Sequence, residues 1–104
     1  MKNLSNSDGC PFEESTALKA YEFIHQKYIE GDVVSAERIA DEDNYWGVEV
    51  RVRTGMFRRM TFSVMRNCLD LKYCKVALNG NTLWVPVKFG VEILNRLMKI
   101  QDSF

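Results

Sequence analysis

The stretch Trp46–Met65, WGVEVRVRTGMFRRMTFSVM, restricts the fold more than any other part of the chain. Val48, Val50 and Val52 alternate with Glu49, Arg51 and Arg53. After Thr54-Gly55, Met60, Phe62 and Val64 alternate with Arg59, Thr61 and Ser63. Successive strand side chains point to opposite faces of a sheet, so a period of two marks a half-buried strand. The pair reads as a β-hairpin with one apolar face and one arginine-rich face. A two-residue loop at Thr54-Gly55 would set the valines against Phe57, Arg59 and Thr61 and mix the faces. A three-residue loop, Thr54 to Met56, sets Val50 across from Met60 and Val48 across from Phe62. Register follows the buried face, and three-residue loops with a left-handed glycine are common, so this register is the expected one. It puts Arg51 opposite Arg59 with Arg53 beside them. Like charges so opposed are destabilising by up to about 1 kcal/mol.

A chain of 104 residues has room for one domain. Residues 1–11 are polar and are expected to be a mobile N-terminal tail, with a single α+β domain over 12–104. No run approaches the ~18 apolar residues of a membrane span, and the opening residues lack the apolar core of a secretory signal. The expected compartment is the cytoplasm, with no membrane partner. Cys10, Cys68 and Cys74 are odd in number and irregularly spaced, which is not a disulfide framework. They also lack the paired spacing of a zinc site, and the lone histidine, His25, lies far off in sequence. Neither a metal nor a cofactor is expected.

Charge is balanced overall but unevenly placed. Residues 1–47 hold ten acids against Lys2, Lys19, Lys27 and Arg38. Residues 48–75 hold Arg51, Arg53, Arg58, Arg59, Arg66, Lys72 and Lys75 against only Glu49 and Asp70. An acidic first half thus precedes a basic middle.

From Phe12, Ala17, Tyr21, Ile24 and Tyr28 recur at helical steps, with Leu18 and Phe23 widening the stripe. Gly31 supplies the left-handed stop. Asp32 reads as the N-cap of a second helix, VVSAERIADED, in which Val33, Ala36, Ile39 and Ala40 share one side. A strand is the alternative there, because Val33, Ser35, Glu37 and Ile39 also alternate, although polar and apolar residues do not separate cleanly. Residues 56–70 carry a helical stripe as an alternative to a strand. Asn79-Gly80 is a strong type I′ turn signal inside a second hairpin, KYCKVALNGNTLWVPV. Pro86 suggests an edge or the end of a strand. A last helix follows from about Lys88, with Gly90, Ile93, Leu94, Leu97 and Ile100 as its apolar stripe. The expected fold is a four-stranded, largely antiparallel sheet in the order ααββββα. Its expected core is Val48, Val50, Val52, Met60, Phe62, Val64, Leu83, Val85, Ile24, Ile93 and Leu97. An edge at Pro86 and leftover apolar residues on the last helix leave room for a homodimer.

Catalysis has little to work with. Nucleophilic chemistry needs a base and an orienting group, and His25 lies in an amphipathic helix. Asp41, Glu42 and Asp43 read as a solvated turn, and no glycine-rich phosphate loop occurs. No catalytic residue is assigned, and the chain is expected not to be an enzyme.

The arginine face is the surviving candidate: Arg51, Arg53, Arg58 and Arg59 with Phe57, and Tyr45 and Tyr73 as further rings. Guanidinium groups can hold phosphates while rings stack on bases, at about 1–3 kcal/mol per base. Four strands followed by a C-terminal helix also resemble Pur-alpha-like modules, with RRMTFSV and KYCKVAL echoing that pattern over about half the chain. The resemblance lies in layout and residue type, without a diagnostic motif, and the preceding helices are not part of it. It implies single-stranded nucleic acid bound on the sheet. The leading expectation is therefore a small non-enzymatic binding protein contacting single-stranded nucleic acid. A rival is a protein-interaction or inhibitor module, of the kind found among phage and mobile-element accessory proteins. It would dock on a host protein through Glu37, Asp41, Glu42 and Asp43, or through the basic face. A third reading is a winged-helix DNA-binding regulator, with AERIADEDN starting a helix-turn-helix and the Asn79-Gly80 hairpin as the wing. Against all three stands internal compensation, in which Glu37, Asp41 or Glu22 from packed helices neutralises the arginines.

Overall fold

A computed structural model describes residues 11–104 in backbone and 14–104 in side chains. The elements are α1 (Pro11–Glu30), β1 (Val33–Ala40), β2 (Trp46–Arg53), β3 (Arg59–Asn67), β4 (Asp70–Leu78), β5 (Asn81–Pro86) and α2 (Val87–Ser103). The fold is α+β with an antiparallel sheet, but the described residues form five strands and one leading helix, in the order αβββββα. The strands pair in chain order as a meander, β1-β2-β3-β4-β5. The expected tail lies outside the described residues apart from Pro11, which opens α1.

Helix α1 ends as its sequence predicts. Gly31 adopts φ 81°. Its N–H donates to the Tyr28 carbonyl at 3.1 Å, and that of Asp32 donates to Lys27 at 2.9 Å. This pair of bonds is a Schellman cap. Ala17, Ala20, Tyr21 and Ile24 are buried, whereas Leu18 and Phe23, expected to widen the stripe, are exposed. Phe23 instead carries the Lys27 ammonium 5.4 Å from its ring centroid.

The second helix does not form; residues 33–40 are strand β1. Instead of capping a helix, Asp32 accepts the Arg53 N–H on its carbonyl at 2.8 Å, opening the ladder with β2. A register shift between Val33 and Ser35 inserts an extra residue. This bulge explains the blurred alternation, because it reverses which residues face inward part way along the strand. Ser35, Glu37 and Ile39 then pair with Arg51, Glu49 and Gly47. The acidic run Asp41 to Asp43 lies in a turn: Asp41 Oδ1 accepts the N–H groups of Asp43 at 2.9 Å and Tyr45 at 3.1 Å.

The β2–β3 hairpin forms with its apolar face as expected but in another register. Val48, Val50 and Val52 pair with Val64, Phe62 and Met60, and Arg53 with Arg59. Thr54 to Arg58 therefore form a five-residue loop, closed by the Thr54 N–H to the Arg58 carbonyl at 3.0 Å. Both registers bury the same side chains, because they differ by an even step, so hydrophobic pattern could not separate them. Arg51 consequently faces Thr61 rather than Arg59. The helical alternative for residues 56–70 is replaced by β3 and the turn into β4. The second hairpin matches expectation: Asn79 (φ 51°) and Gly80 (φ 89°) make a two-residue turn, and Leu78 pairs with Asn81. Asn79 also ties this turn to β3, accepting the Thr61 N–H on Oδ1 at 3.0 Å.

One buried cluster joins Ala17 and Ile24 of α1, Ile93, Leu94 and Leu97 of α2, and Val48, Val50, Val52, Phe62, Val64, Val76 and Val85 of the sheet. The remaining expected core residues, Met60 and Leu83, are half-buried against it. A methyl group at Gly90 would strike the Cys74 side chain, so this glycine sets how closely α2 approaches β4. Both helices pack on the apolar face, which leaves Ser35, Glu49, Arg51, Arg53, Arg59, Thr61 and Ser63 on the other. No helix among the described residues is long and apolar enough to cross a membrane.

Candidate functional site

The helix-free face has two dissimilar ends. β2 is eight residues long, so its ends lie about 23 Å apart at a strand rise of about 3.3 Å per residue.

The end formed by the β1–β2 turn is closed. Tyr45 is only 8% exposed. Its hydroxyl donates to Asp70 Oδ2 at 2.6 Å, and its ring meets Trp84 edge-on with centroids 6.0 Å apart. Lys75 Nζ sits 5.7 Å from the Tyr45 ring centroid and 2.8 Å from Asp41 Oδ2. The bond to Asp70, helped by burial, pushes the Tyr45 phenol up to about 12. The same hydroxyl, followed by the N–H groups of Lys72 and Tyr73, holds the Asp70 carboxyl below its ordinary range. Lys75 does the same for Asp41. Sequence spacing gave no sign of this network, because its members are 25 and 34 residues apart. Of the three rings considered as stacking partners, Tyr45 is buried and Tyr73 half-buried; Phe57 is the exposed one.

At the opposite end, the β2–β3 loop brings basic and apolar groups together. Arg53 and Arg59 face each other across the strands where the loop begins. Beyond them Phe57 is 94% and Met56 86% exposed. A pocket of about 380 Å³ is lined by Arg53, Met56, Phe57, Arg58 and Arg59. An adjoining one of about 390 Å³ adds Lys27, Asp32 and Thr54. The left-over charge is specific. Glu49 lies 3.3 Å from Arg51 and Asp32 lies 3.9 Å from Arg53, with all four groups reaching solvent. Exposed pairs of this kind contribute roughly 0–1 kcal/mol. Among the described residues no carboxylate forms an ion pair with Arg58 or Arg59.

Internal compensation is therefore partial, and it comes from residues other than those expected. Glu22 belongs to α1, which packs on the far face. Asp41 is held by Lys75. Glu37 is the cross-strand partner of Glu49, an acid and not an arginine. Glu42 and Asp43 are exposed in the β1–β2 turn, away from the arginine loop. Of the four acidic residues proposed as a docking face, Asp41 is thus tied to Lys75, while Glu42 and Asp43 share its turn and Glu37 lies four residues before Asp41 on β1.

His25 is exposed and stacks against Tyr21, with ring centroids 6.0 Å apart. Cys68 is exposed, and Cys74 is buried beneath α2, where desolvation raises its thiol to about 11. Among the described residues, no group of three or more His, Cys, Asp or Glu is placed to hold a metal. No family model, curated protein or solved structure matches the chain.

Proposed function

We propose that this chain is a small binding protein, not an enzyme, that holds single-stranded nucleic acid at the β2–β3 end of its sheet. The observation that carries the reading is the position of Arg53 opposite Arg59, with Arg58 and the bare Phe57 ring just beyond. Two arginines opposed across a strand pair are unfavourable neighbours, and an anion shared between them would relieve that cost. Guanidinium geometry suits a phosphate, which can accept paired N–H bonds. Phe57 adds a flat apolar surface that any base can stack upon, so the contact would tolerate sequence. Arg51, one step along β2 on the same face, extends the basic track away from the loop.

Protein docking through Glu37, Asp41, Glu42 and Asp43 has less support, since Asp41 is already paired with Lys75. The winged-helix reading lacks its helix-turn-helix, because residues 33–53 are two strands and a turn.

Fluorescence anisotropy with labelled single-stranded oligonucleotides tests the proposal, alongside duplex DNA and vesicles containing anionic lipid. The single strand should bind best, and Phe57→Ala should weaken it. Absence of binding at low salt, or preference for vesicles, would refute the reading.

A further inference from the structure

A second surface lies on the helix side of the molecule, away from the arginine loop. A groove of about 580 Å³ separates the exposed shoulders of α1 and α2, within the size range of small-ligand sites, roughly 300–1,000 Å³. Its two walls differ in chemistry. On α1, Tyr21, His25 and Tyr28 stand at successive helical steps and line one side. On α2, Arg96 and Lys99 stand one turn apart and line the other. Ile100, only 3% exposed, lies at its base.

The rings are already oriented. Tyr21 is buried, His25 stacks on it with an interplanar angle of 24°, and the Arg96 guanidinium lies 5.5 Å from the Tyr21 centroid. Arg96 is thus positioned by an aromatic face, and its carboxylate partner, Glu92, is an exposed neighbour at 3.6 Å. Lys99 has no ion-pair partner among the described residues. Among the described residues, Glu22 is the one carboxylate lining the groove. Arg96 reaches across to Tyr21 at one end of the groove, and beyond it His25 and Tyr28 line one wall and Lys99 the other.

We infer that the α1–α2 groove binds a planar aromatic ring carrying a phosphate, of nucleoside monophosphate size. The ring would pack along His25 and Tyr28, and the phosphate would be held by Arg96 and Lys99. An ammonium offers three N–H donors and a guanidinium five, and both can donate to the phosphate oxygens. The ring adds apolar contact that a bare anion cannot make.

The test is an amide-shift titration of the whole protein with adenosine 5′-monophosphate, and separately with adenosine and inorganic phosphate. The monophosphate should saturate, with shifts centred on residues 21–28 and 96–103. Adenosine and phosphate alone should each bind at least about tenfold more weakly. Lys99→Glu, at an exposed site that leaves the fold intact, should weaken the monophosphate about tenfold or more, with Arg96→Ala as a second variant. Arg53→Ala with Arg59→Ala should leave this binding unchanged, which separates it from any failure of the arginine loop. Equal binding of inorganic phosphate, shifts confined to residues 53–59, or no saturation would each overturn the inference.

Discussion

Arg53 and Arg59 are directly paired across β2 and β3, and the loop between them exposes Phe57 almost completely. A fold left to optimise its own stability would seldom set two cations opposite each other beside an unburied ring. Arg53 has a distant partner in Asp32 at 3.9 Å, whereas Arg59 has none among the described residues. The stability and the binding of this hairpin are therefore expected to respond in opposite directions to the same substitution.

Arg59→Ala should leave the protein as stable as before or more stable, by up to about 1 kcal/mol, because it removes a like-charge pair. For a domain of this size that corresponds to a rise in Tm of up to about 4–8 °C. Thermal unfolding followed by circular dichroism measures it. A clear loss of stability would mean that Arg59 has a structural role.

Gly47→Ala should be strongly destabilising. A methyl group there would run into the Val64 carbonyl oxygen and the Met65 backbone, neither of which can swing aside. Forcing extra volume into a packed site costs about 1–3 kcal/mol or more. Gly55→Ala, where the nearest atom is Arg58 Cβ at 3.8 Å, is the matched control and should change little. Urea unfolding of the two variants makes the comparison.

Acid should loosen the closed end of the sheet. Asp41 and Asp70 titrate below their ordinary value in the folded chain, held down by Lys75 and Tyr45 respectively. A depressed folded pKa gives a contribution that is complete above the unfolded value, about 3.9, and is lost as pH falls through the folded one. Stability should therefore decline as pH drops below about 4. Tyr45→Phe should flatten the part that Asp70 supplies, and Lys75→Met the part from Asp41. Urea midpoints measured from pH 6 to pH 2.5 follow the effect; an unchanged slope in both variants would rule the network out as its source.

Much of this architecture was legible in the residues, and the misses have identifiable causes. Val48, Val50 and Val52 specified a strand and its inner face, Asn79-Gly80 specified a turn, and Gly31 specified a helix end. In each case the signal is local and the chemistry acts within a few residues. Strand β1 was misread because a bulge at Val33–Ser35 breaks its alternation and because its ladder with β2 is a long-range choice. The even two-residue slip in the β2–β3 register was invisible to pattern, since it buries the same side chains. It moved the opposed pair from Arg51–Arg59 to Arg53–Arg59, which shifts the candidate site from mid-sheet to the loop. The Tyr45–Asp70 bond and the groove facing Arg96 depend on tertiary placement, and no spacing rule reaches them.

The central claim is that Arg53 and Arg59 together hold phosphate, and the salt dependence of single-strand binding tests it most directly. Each phosphate contact contributes about 0.7 to the slope of log K against log salt concentration for a single strand. Wild-type protein should bind an oligonucleotide with a steep negative slope. The Arg53→Ala/Arg59→Ala variant, while remaining folded, should show a slope shallower by about 0.7, the share of the one phosphate held between them. Binding with an unchanged slope, or no binding by wild-type protein even at low salt, would contradict the claim.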